Sequence, residues 1–411
     1  LDVQYITWWR RSNDGAFGMG SKSSSISHWG SSNVPYLITL GSSQYSSSFG
    51  WPILATVYPV NHTKQALTSK EENMKYYLLK SLKYAAVGAL AGGLMATGAI
   101  ADLYKVTSIA PGMSPFVVNT AISKVVNTRV DNVEFQVRAT GAATKHFVDA
   151  ANGSVDFLFG SPTINWLLVN HIGPYAKFTN GPELEANVGM IFSYQIGPYH
   201  YITRADSGIM TLNDLRGKKV FAGPPGGAAK GVVLGAIKAT TGIEAAEMDI
   251  QKFGFDAAIQ AFQDDKIDVI VLPTNVPSAS IQQFALTKKI RILDVDVAKM
   301  PLRKAIGATF NEIAADAYGS SQMNDEPTNT HGAIVNFSAG MHVSEDVVYK
   351  VTKAIWENLS EIHETAKWMP NTITKEGALE LIASRLHPGA ERYYREMGWD
   401  IPEPMVYMPK Q

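Results

Sequence analysis

Two hydrophobic patterns alternate along the chain after position 102. One is a short apolar run typical of a buried strand, and the other places an apolar residue at every third or fourth position, as on one face of a helix. They predict strands over Leu103–Ile109, Phe135–Thr140 and Val155–Phe159, separated by helices over 117–126 and 143–151. This order favours a parallel sheet covered by helices.

The alternation begins again after two strands around Gly189–Tyr194 and His200–Arg204. The elements predicted beyond them are a helix that starts at a capping box on Thr211, strands over Lys218–Ala222 and Ile267–Leu272, helices over Ala228–Thr241 and Asp256–Asp265, and a long amphipathic helix capped by Ser344. Two such units in one chain predict an α/β protein with two lobes that face a cleft.

The first 101 residues do not follow this alternation. Residues 1–73 include thirteen serines before position 50, and such a stretch buries too little apolar surface to offset the entropy of ordering it. From Met74, a basic start, an uncharged run and the small residues Ala99–Ala101 predict a secretory signal peptide over 74–101. A transmembrane anchor is the alternative, although the run is short and contains four glycines.

A signal peptide stands at the start of a protein, so we expect translation to begin at Met74. Residues 1–73 are then a non-native extension, with a disordered N-terminal arm as the alternative. The exported part, residues 102–411, carries 28 basic and 33 acidic residues, a net charge of −5. We therefore expect a mildly acidic exported protein in the periplasm.

Composition excludes several classes of function. The whole chain carries 36 Lys and Arg against 37 Asp and Glu, which argues against a protein that binds nucleic-acid phosphates through a basic surface. It contains no cysteine, so thiol catalysis, disulfide scaffolds and cysteine-ligated metals are ruled out. The seven histidines after position 101 show no H-E-x-x-H or comparable metal spacing, and no G-x-S-x-G elbow is present there. We expect no enzyme, no metal and no cofactor.

The glycine-rich loop at 223–227 connects a predicted strand to a predicted helix. It lacks the lysine and hydroxyl spacing of a nucleotide-binding loop, but free backbone N–H groups at a helix N-terminus favour an anion. A plain tight turn is the alternative. One helix end contributes only about 0.3–1 kcal/mol, whereas micromolar binding needs about 8 kcal/mol. Several donors from both lobes must therefore converge on an anionic ligand.

The chain after residue 101 resembles the TAXI family, the extracytoplasmic solute receptors of tripartite ATP-independent periplasmic (TRAP) transporters. The resemblance runs in order over essentially all of Asp102–Gly398. It is carried by Ala139–Ala142, Arg204–Ile209, Thr211–Val220, Gly223–Gly226, Asn275–Pro277, Val347–Leu359 and His387–Gly398.

This resemblance implies a periplasmic-binding-protein fold of the second class, with one lobe from 102–199 and 325–411, the other from 200–324, and a hinge between them. It implies a monomeric receptor that captures a small carboxylate and delivers it to TRAP membrane subunits, themselves fused. The receptor is expected to dock at the inner membrane without inserting. A ligand sensor that presents its loaded form to a membrane receptor kinase is the alternative.

Position in the family pattern also assigns candidate ligand-binding residues. These are Gly112, Met113 and Ser114 in the first loop, Thr140 and Gly141 in the second, Ser161 after the third strand, Gly226, Gly227 and Ala228 in the other lobe, and Asn275 near the hinge. Arg138 is added because it lies on the same strand face as Thr140 and suits bidentate carboxylate binding, with an exposed sheet-edge arginine as the alternative.

Two loops depart from the family pattern. The first has Gly112-Met113-Ser114 where Gly-Gly-Thr is common, and the glycine loop continues into Ala228-Ala229 where hydroxyl residues are common. The lost hydroxyls leave mainly backbone donors, so we expect a less polar or bulkier acid than glutamate.

Overall fold

The computed structural model describes residues 101–405 and 407, all within a compact unit that spans 97–411. The predicted extension at 1–73 and all but the last residue of the predicted signal peptide at 74–101 lie outside the described residues. In the part that is described, no helix has the length and apolar character needed to cross a membrane.

The first sheet is built on the predicted strand–helix alternation. Its strands are β1 (Asp102–Ser108), β2 (Val133–Ala139), β3 (Phe157–Gly160), β4 (Val188–Arg204), β9 (Ala308–Ile313) and β10 (Thr328–Gly340). β1 lies between β2 and β3 and is parallel to both, as the sequence predicts, while β10 is antiparallel to β3, β4 and β9. The helices of this half are α1 (Ser114–Arg129), α2 (Ala143–Ala151), α3 (Pro162–Val169) and α4 (Gly181–Ala186).

The second sheet contains the remaining strands and the C-terminal part of β4. These strands are β5 (Lys219–Phe221), β6 (Asp249–Ile250), β7 (Val269–Pro273) and β8 (Ile290–Ile292). β5 is parallel to β6 and β7, and β4 is antiparallel to β7 and β8. The helices here are α5 (Ala228–Thr241), α6 (Phe255–Gln263) and α7 (Ala279–Ala285).

One long strand joins the two sheets. The sequence predicts two separate strands around 189–194 and 200–204, whereas the structure has a single strand, β4, that is buried along nearly all of its length. It continues through Gly197, whose φ is +96° and whose missing Cβ would lie 2.6 Å from backbone atoms of Asn275. Glycine therefore permits both the backbone conformation and the close approach of the two chain segments.

A second connection runs from β8 back to β9 over residues 293–307. We call it the crossing segment. It contains two short 3-10 turns, Val297–Lys299 and Lys304–Ile306. The Thr163 hydroxyl in α3 donates a hydrogen bond to the carbonyl of Ile306 at 2.9 Å, and the Tyr407 hydroxyl donates one to the carbonyl of Ala305 at 2.8 Å.

The C-terminal helices pack on the first sheet. They are α8 (Glu345–Glu357), α9 (Leu359–His363), α10 (Met369–Thr372) and α11 (Pro388–Glu396). The predicted cap is present, since the Ser344 hydroxyl accepts a hydrogen bond from the Val347 N–H. The capping box at Thr211 is also present, but it starts a short 3-10 turn, Leu212–Leu215, rather than an α-helix.

The predicted α/β fold class with two sheet-centred halves and a cleft between them is confirmed. Helix α5 has the predicted bounds, because a glycine loop precedes it and Gly242, with a φ of +75°, ends it. The largest apolar cluster, around Phe157, Phe192 and Phe337, extends into the second half, where it includes Phe221 and Phe262. A separate cluster around Tyr201 and Val271 belongs to the second half.

Candidate functional site

A cavity of about 490 Å³ lies between the two sheets. It is bordered by residues at the carboxyl ends of parallel strands in both halves, namely Ile109 and Ser161 in the first and Pro224 and Pro273 in the second. Open α/β sheets bind ligands at this edge. The size falls within the range of small-molecule pockets, about 300–1,000 Å³.

The N-termini of helices from both halves border the cavity. Ala142 and Ala143 belong to the start of α2, and Gly227 and Ala228 to the start of α5. Neither helix has a side-chain cap or an acidic residue in its first turn. In α2 the Lys145 N–H donates to the Ala142 carbonyl at 2.9 Å. The N–H groups of Ala143 and Thr144, and those at the start of α5, have no intrahelical partner and are available to water or to a ligand.

These two helix ends are held close together. The Thr144 hydroxyl, in the first turn of α2, donates a 2.7 Å hydrogen bond to the carbonyl of Gly226, just before α5. Ala228 in turn packs against the apolar cluster of the first half that contains Phe147. The positive ends of two helix dipoles therefore meet at one place, which is unfavourable unless negative charge lies nearby.

The third helix at the cavity is capped from within. The Ser161 hydroxyl accepts a hydrogen bond from the Ile164 N–H of α3 at 3.2 Å, and Pro162 has no N–H to offer. Ser161 lines the cavity and keeps its own O–H as a donor. This helix therefore offers a hydroxyl rather than a row of free backbone amides.

Arg303 carries the formal charge of the site. It belongs to the crossing segment, and its guanidinium carbon lies 5.9 Å from the centroid of the Trp166 ring. No aspartate or glutamate contributes to the cavity lining within 101–405, and no carboxylate there forms an ion pair with Arg303. The electrostatic character of the cavity is positive.

His331 and two tyrosines form a polar cluster in the wall. The His331 ring stacks on Tyr199 with centroids 4.3 Å apart, and its Nε2 is 2.8 Å from the Tyr201 hydroxyl. Burial lowers the pKa of His331 to about 4. The imidazole is therefore neutral at physiological pH and adds hydrogen-bonding capacity without charge.

Most of the remaining lining is apolar or small. Partly exposed apolar side chains come from both sides: Trp166, Leu167, Ile172, Val232 and Met300. Helix α5 contributes Gly231 and Gly235, where an added Cβ would meet no atom within 4 Å. An interior helix glycine costs about 0.8–1.0 kcal/mol relative to alanine, and no packing contact requires these two.

Three of the candidate residues assigned from the sequence line the cavity: Ser161, Gly227 and Ala228. Gly226 lies beside it, exposed, with its carbonyl bound by Thr144. The signal that located them was local, a glycine loop or a small polar residue between a strand and a helix.

The first loop lies at the joint between the two sheets instead of in the cavity lining. Met113 is fully buried in the core, and Ser114 donates hydrogen bonds to Thr274 and Ile196, at 3.1 and 2.7 Å. Gly112 has a φ of +79°, and an added Cβ would lie 2.5 Å from the Ser280 hydroxyl. These contacts leave the loop engaged with the protein itself.

The remaining candidates also lie outside the lining. Arg138 is exposed and donates hydrogen bonds to Gln136, while Thr140 and Gly141 are exposed near His146. Asn275 is buried, and its amide donates to the carbonyl of Gln195 at 3.2 Å.

The sequence reasoning did not select Arg303, Trp166 or His331. Arg303 lies in an irregular segment with no periodic pattern, and Trp166 reads as one apolar position of a helix. His331 is one of the seven histidines whose spacing gives no sign of a metal site. These three residues line the same cavity because the crossing segment passes back over α3, and no local sequence pattern predicts that contact. Across the described residues there is no group of three or more side chains suited to holding a metal ion.

Comparison with known proteins gives a family and distant structural similarities. The NMT1-like family profile matches residues 110–398. The periplasmic aliphatic sulphonate binding protein SsuA from Escherichia coli is 11% identical, with a TM-score of 0.37, covering 75% of this chain and 93% of its own. A TRAP periplasmic solute binding protein from Ralstonia eutropha H16, with bound (S)-2-acetolactate, is 12% identical, with a TM-score of 0.39 and coverages of 73% and 86%.

A further TRAP periplasmic solute binding protein, from Shewanella oneidensis with bound succinate, is 11% identical, with a TM-score of 0.40 and coverages of 66% and 83%. Similarities at this level do not define the ligand of this chain.

Proposed function

We propose, from the premise that the chain belongs to the NMT1-like family, that it is an extracytoplasmic solute-binding receptor that encloses a small carboxylate between its two sheets. One observation carries this proposal. The N-termini of α2 and α5 converge on a cavity whose described lining contains an arginine and no acidic residue. A carboxylate placed there relieves the repulsion between the two helix ends.

The energetics require the donors to act together. A helix N-terminus contributes about 0.3–1 kcal/mol, up to about 2 kcal/mol when partly buried, and a hydrogen bond to a charged group about 1.5–3 kcal/mol. Micromolar affinity needs about 8 kcal/mol. Backbone amides of α2 and α5, the Ser161 hydroxyl and Arg303 together reach that range when closure of the two halves shields them from water. Arg303 is exposed in this structure, so the proposal requires that closure.

Capture and release follow from the connections between the halves. Strand β4 and the crossing segment both pass from one sheet to the other. In our proposal the halves open and close about these two connections, and the ligand stabilises the closed form because it contacts helix ends from both halves. The ligand is bound and released without chemical change.

The delivery step is the finer part of the proposal. We assign the chain to the TAXI group of receptors, acting in the periplasm and handing its ligand to TRAP membrane subunits. Uptake of a radiolabelled acid into vesicles that contain those subunits is expected only when the loaded receptor is added. Uptake that is equally fast without the receptor would contradict delivery while leaving ligand capture intact.

Ligand capture is tested by isothermal titration calorimetry of the purified protein. The panel contains acids with different tails, each paired with its uncharged amide. We expect acids to bind and their amides to bind at least about tenfold more weakly, which corresponds to one lost charge-assisted interaction. Acids recovered unchanged after long incubation would agree with a receptor, and conversion of any acid would indicate an enzyme.

A pair of neighbouring cations provides the matched control. Arg303→Gln removes the charge that lines the cavity, and Lys304→Gln removes an exposed charge one residue away that does not line it. We expect the first variant to weaken acid binding about tenfold and the second to change it less than about twofold. Equal effects in the two variants would show that net charge, rather than the cavity, governs binding.

A further inference from the structure

The cavity extends along one face of helix α5. The lining residues on this helix recur at three- and four-residue spacing, as one helical face requires: Ala228, Ala229, Gly231, Val232, Gly235, Ala236 and Ala239. Between Ala228 and Ala239 the helix advances about 16 Å, at 1.5 Å per residue. The cavity is therefore long, and residues of both halves border it.

Large apolar side chains form much of the wall of this long cavity. Trp166, Leu167 and Ile172 from the first half and Met300 from the crossing segment all border the cavity and remain partly exposed. Large apolar side chains left partly exposed on several sides of one cavity indicate an apolar occupant. A short, highly polar acid such as succinate leaves these surfaces in contact with water.

The polar and apolar parts of the lining differ along α5. Free amides lie at its N-terminal end, near Gly226 and Ala228, where the dipole favours negative charge. The dipole is negative at the other end, near Thr241, and only small or apolar residues of α5 line the cavity in that direction. An anionic group is therefore favoured at one end of the cavity and disfavoured at the other.

We propose that the ligand is an elongated amphipathic carboxylate, with its carboxylate at the N-termini of α2 and α5 and an apolar tail along the small-residue face of α5. This inference rests on the proposed capture of a carboxylate and adds the nature and direction of its tail. Gly231 and Gly235 leave room for the tail, since a Cβ added at either would project into open space. A larger side chain at Gly235 shortens the available length without touching the helix N-terminus.

The test is a chain-length series measured by calorimetry on the purified protein. Straight-chain acids from butanoate to decanoate are compared with succinate and glutamate. We expect the affinity of the wild-type protein to rise about threefold to fourfold for each added methylene, the value for transfer of one methylene out of water, until the cavity is filled.

Variants on α5 locate the tail. Gly235→Leu is expected to weaken binding of the longest acids about tenfold while leaving butanoate within about twofold, because only long tails reach the blocked position. Thr240→Leu is the control, since Thr240 lies on the same helix but does not line the cavity. It is expected to change no affinity by more than about twofold.

The outcomes separate this inference from the proposed function. If succinate or glutamate binds and longer tails bring no gain, the carboxylate receptor stands and the amphipathic ligand is wrong. An equal loss across all chain lengths in Gly235→Leu would also overturn it, because the tail would not lie along α5. If no acid of any length binds, both proposals fail.

Discussion

The loop before α1 and the loop before α5 are the same kind of connection, from a strand to a helix through glycine, yet they have different roles. The first, with Gly112 and Ser114, is held by hydrogen bonds to Thr274 and Ser278 of the other half of the molecule. The second, with Gly227, has no side-chain cap and borders the cavity. Both loops lead into the N-terminus of a helix, so local form alone does not make a binding site.

The difference comes from what each loop meets. Polar partners from distant parts of the chain, Thr274 and Ser278, already bind the first loop. The second loop meets a single partner hydroxyl, from Thr144, which binds a carbonyl and leaves the amides of α5 free. A loop whose N–H groups bind other parts of the protein connects the two sheets. A loop whose N–H groups have no partner can bind a ligand.

The largest expected effect is on stability, at the two left-handed glycines of these loops. Gly112→Ala adds a Cβ 2.5 Å from the Ser280 hydroxyl, whereas a Cβ at Gly226 meets nothing within 4 Å. Both substitutions force alanine into a positive φ, so their difference isolates the contact. We expect Gly112→Ala to lower the free energy of unfolding by about 2–3 kcal/mol and Gly226→Ala by about 1 kcal/mol.

Chemical denaturation of both variants measures this pair of values. Acid binding by the folded Gly112→Ala protein is expected to stay within about twofold of the wild type, since the first loop does not line the cavity. Equal destabilisation by the two substitutions would show that the contact between the first loop and Ser280 is not tight enough to resist an added methyl group.

Lowering the pH tests the joint between the sheets and the cavity wall separately, because each contains one buried histidine. His200 lies at the joint: its Nδ1 donates to the carbonyl of Pro198, and its Nε2 accepts from the Tyr318 hydroxyl, which in turn accepts the Ser278 N–H. Burial lowers its pKa to about 4, as it does for His331 in the cavity wall. Protonation of Nε2 would remove the acceptor for Tyr318.

The folded-state pKa of both histidines lies below the usual unfolded value of about 6.5, so the unfolded chain takes up protons first as the pH falls. Stability is therefore lost as the pH falls from about 6.5 towards 4. We expect His200→Gln to remove roughly 1–2 kcal/mol of the loss between pH 7 and pH 5, with acid affinity at pH 7 unchanged. His331→Gln is expected to reduce the same loss and to alter affinity. Chemical denaturation at pH 7 and pH 5 measures this loss. If both variants lose as much unfolding free energy between the two pH values as the wild type does, the assignment is wrong.

The sequence predicted the helices and strands better than it predicted which loops border the cavity. Helix α5 could be bounded because a glycine loop and Gly242 flank a continuous helical pattern. Gly227 and Ala228 at its start could be placed by the same signal. The single strand β4 could not be predicted, because Gly197 and Pro198 are typical of a break between strands. In the structure the strand continues through Gly197, which is needed there because Asn275 approaches its backbone closely.

The roles of the first loop and of Arg303 depend on contacts distant in sequence. Ser114 meets Thr274, 160 residues away, and neither residue carries a pattern that predicts the other. Arg303 reaches the cavity because the crossing segment is bound to α3 through Thr163. The sequence therefore predicted the fold class and part of the cavity, while the assignment of each loop required the tertiary contacts.

The smallest effect compares one serine from each environment. Ser114→Ala leaves the buried carbonyl of Ile196 without the Ser114 hydroxyl, and Ser161→Ala removes the cap of α3. Each loss is expected to lower the free energy of unfolding by about 1 kcal/mol. Affinity for the carboxylate ligand distinguishes them. It is expected to fall several-fold in Ser161→Ala, because Ser161 lines the cavity, and to stay unchanged in Ser114→Ala. If calorimetry instead finds that Ser114→Ala reduces the affinity, the roles of the two regions are reversed. The hydroxyl that binds the ligand would then belong to the first loop, before α1.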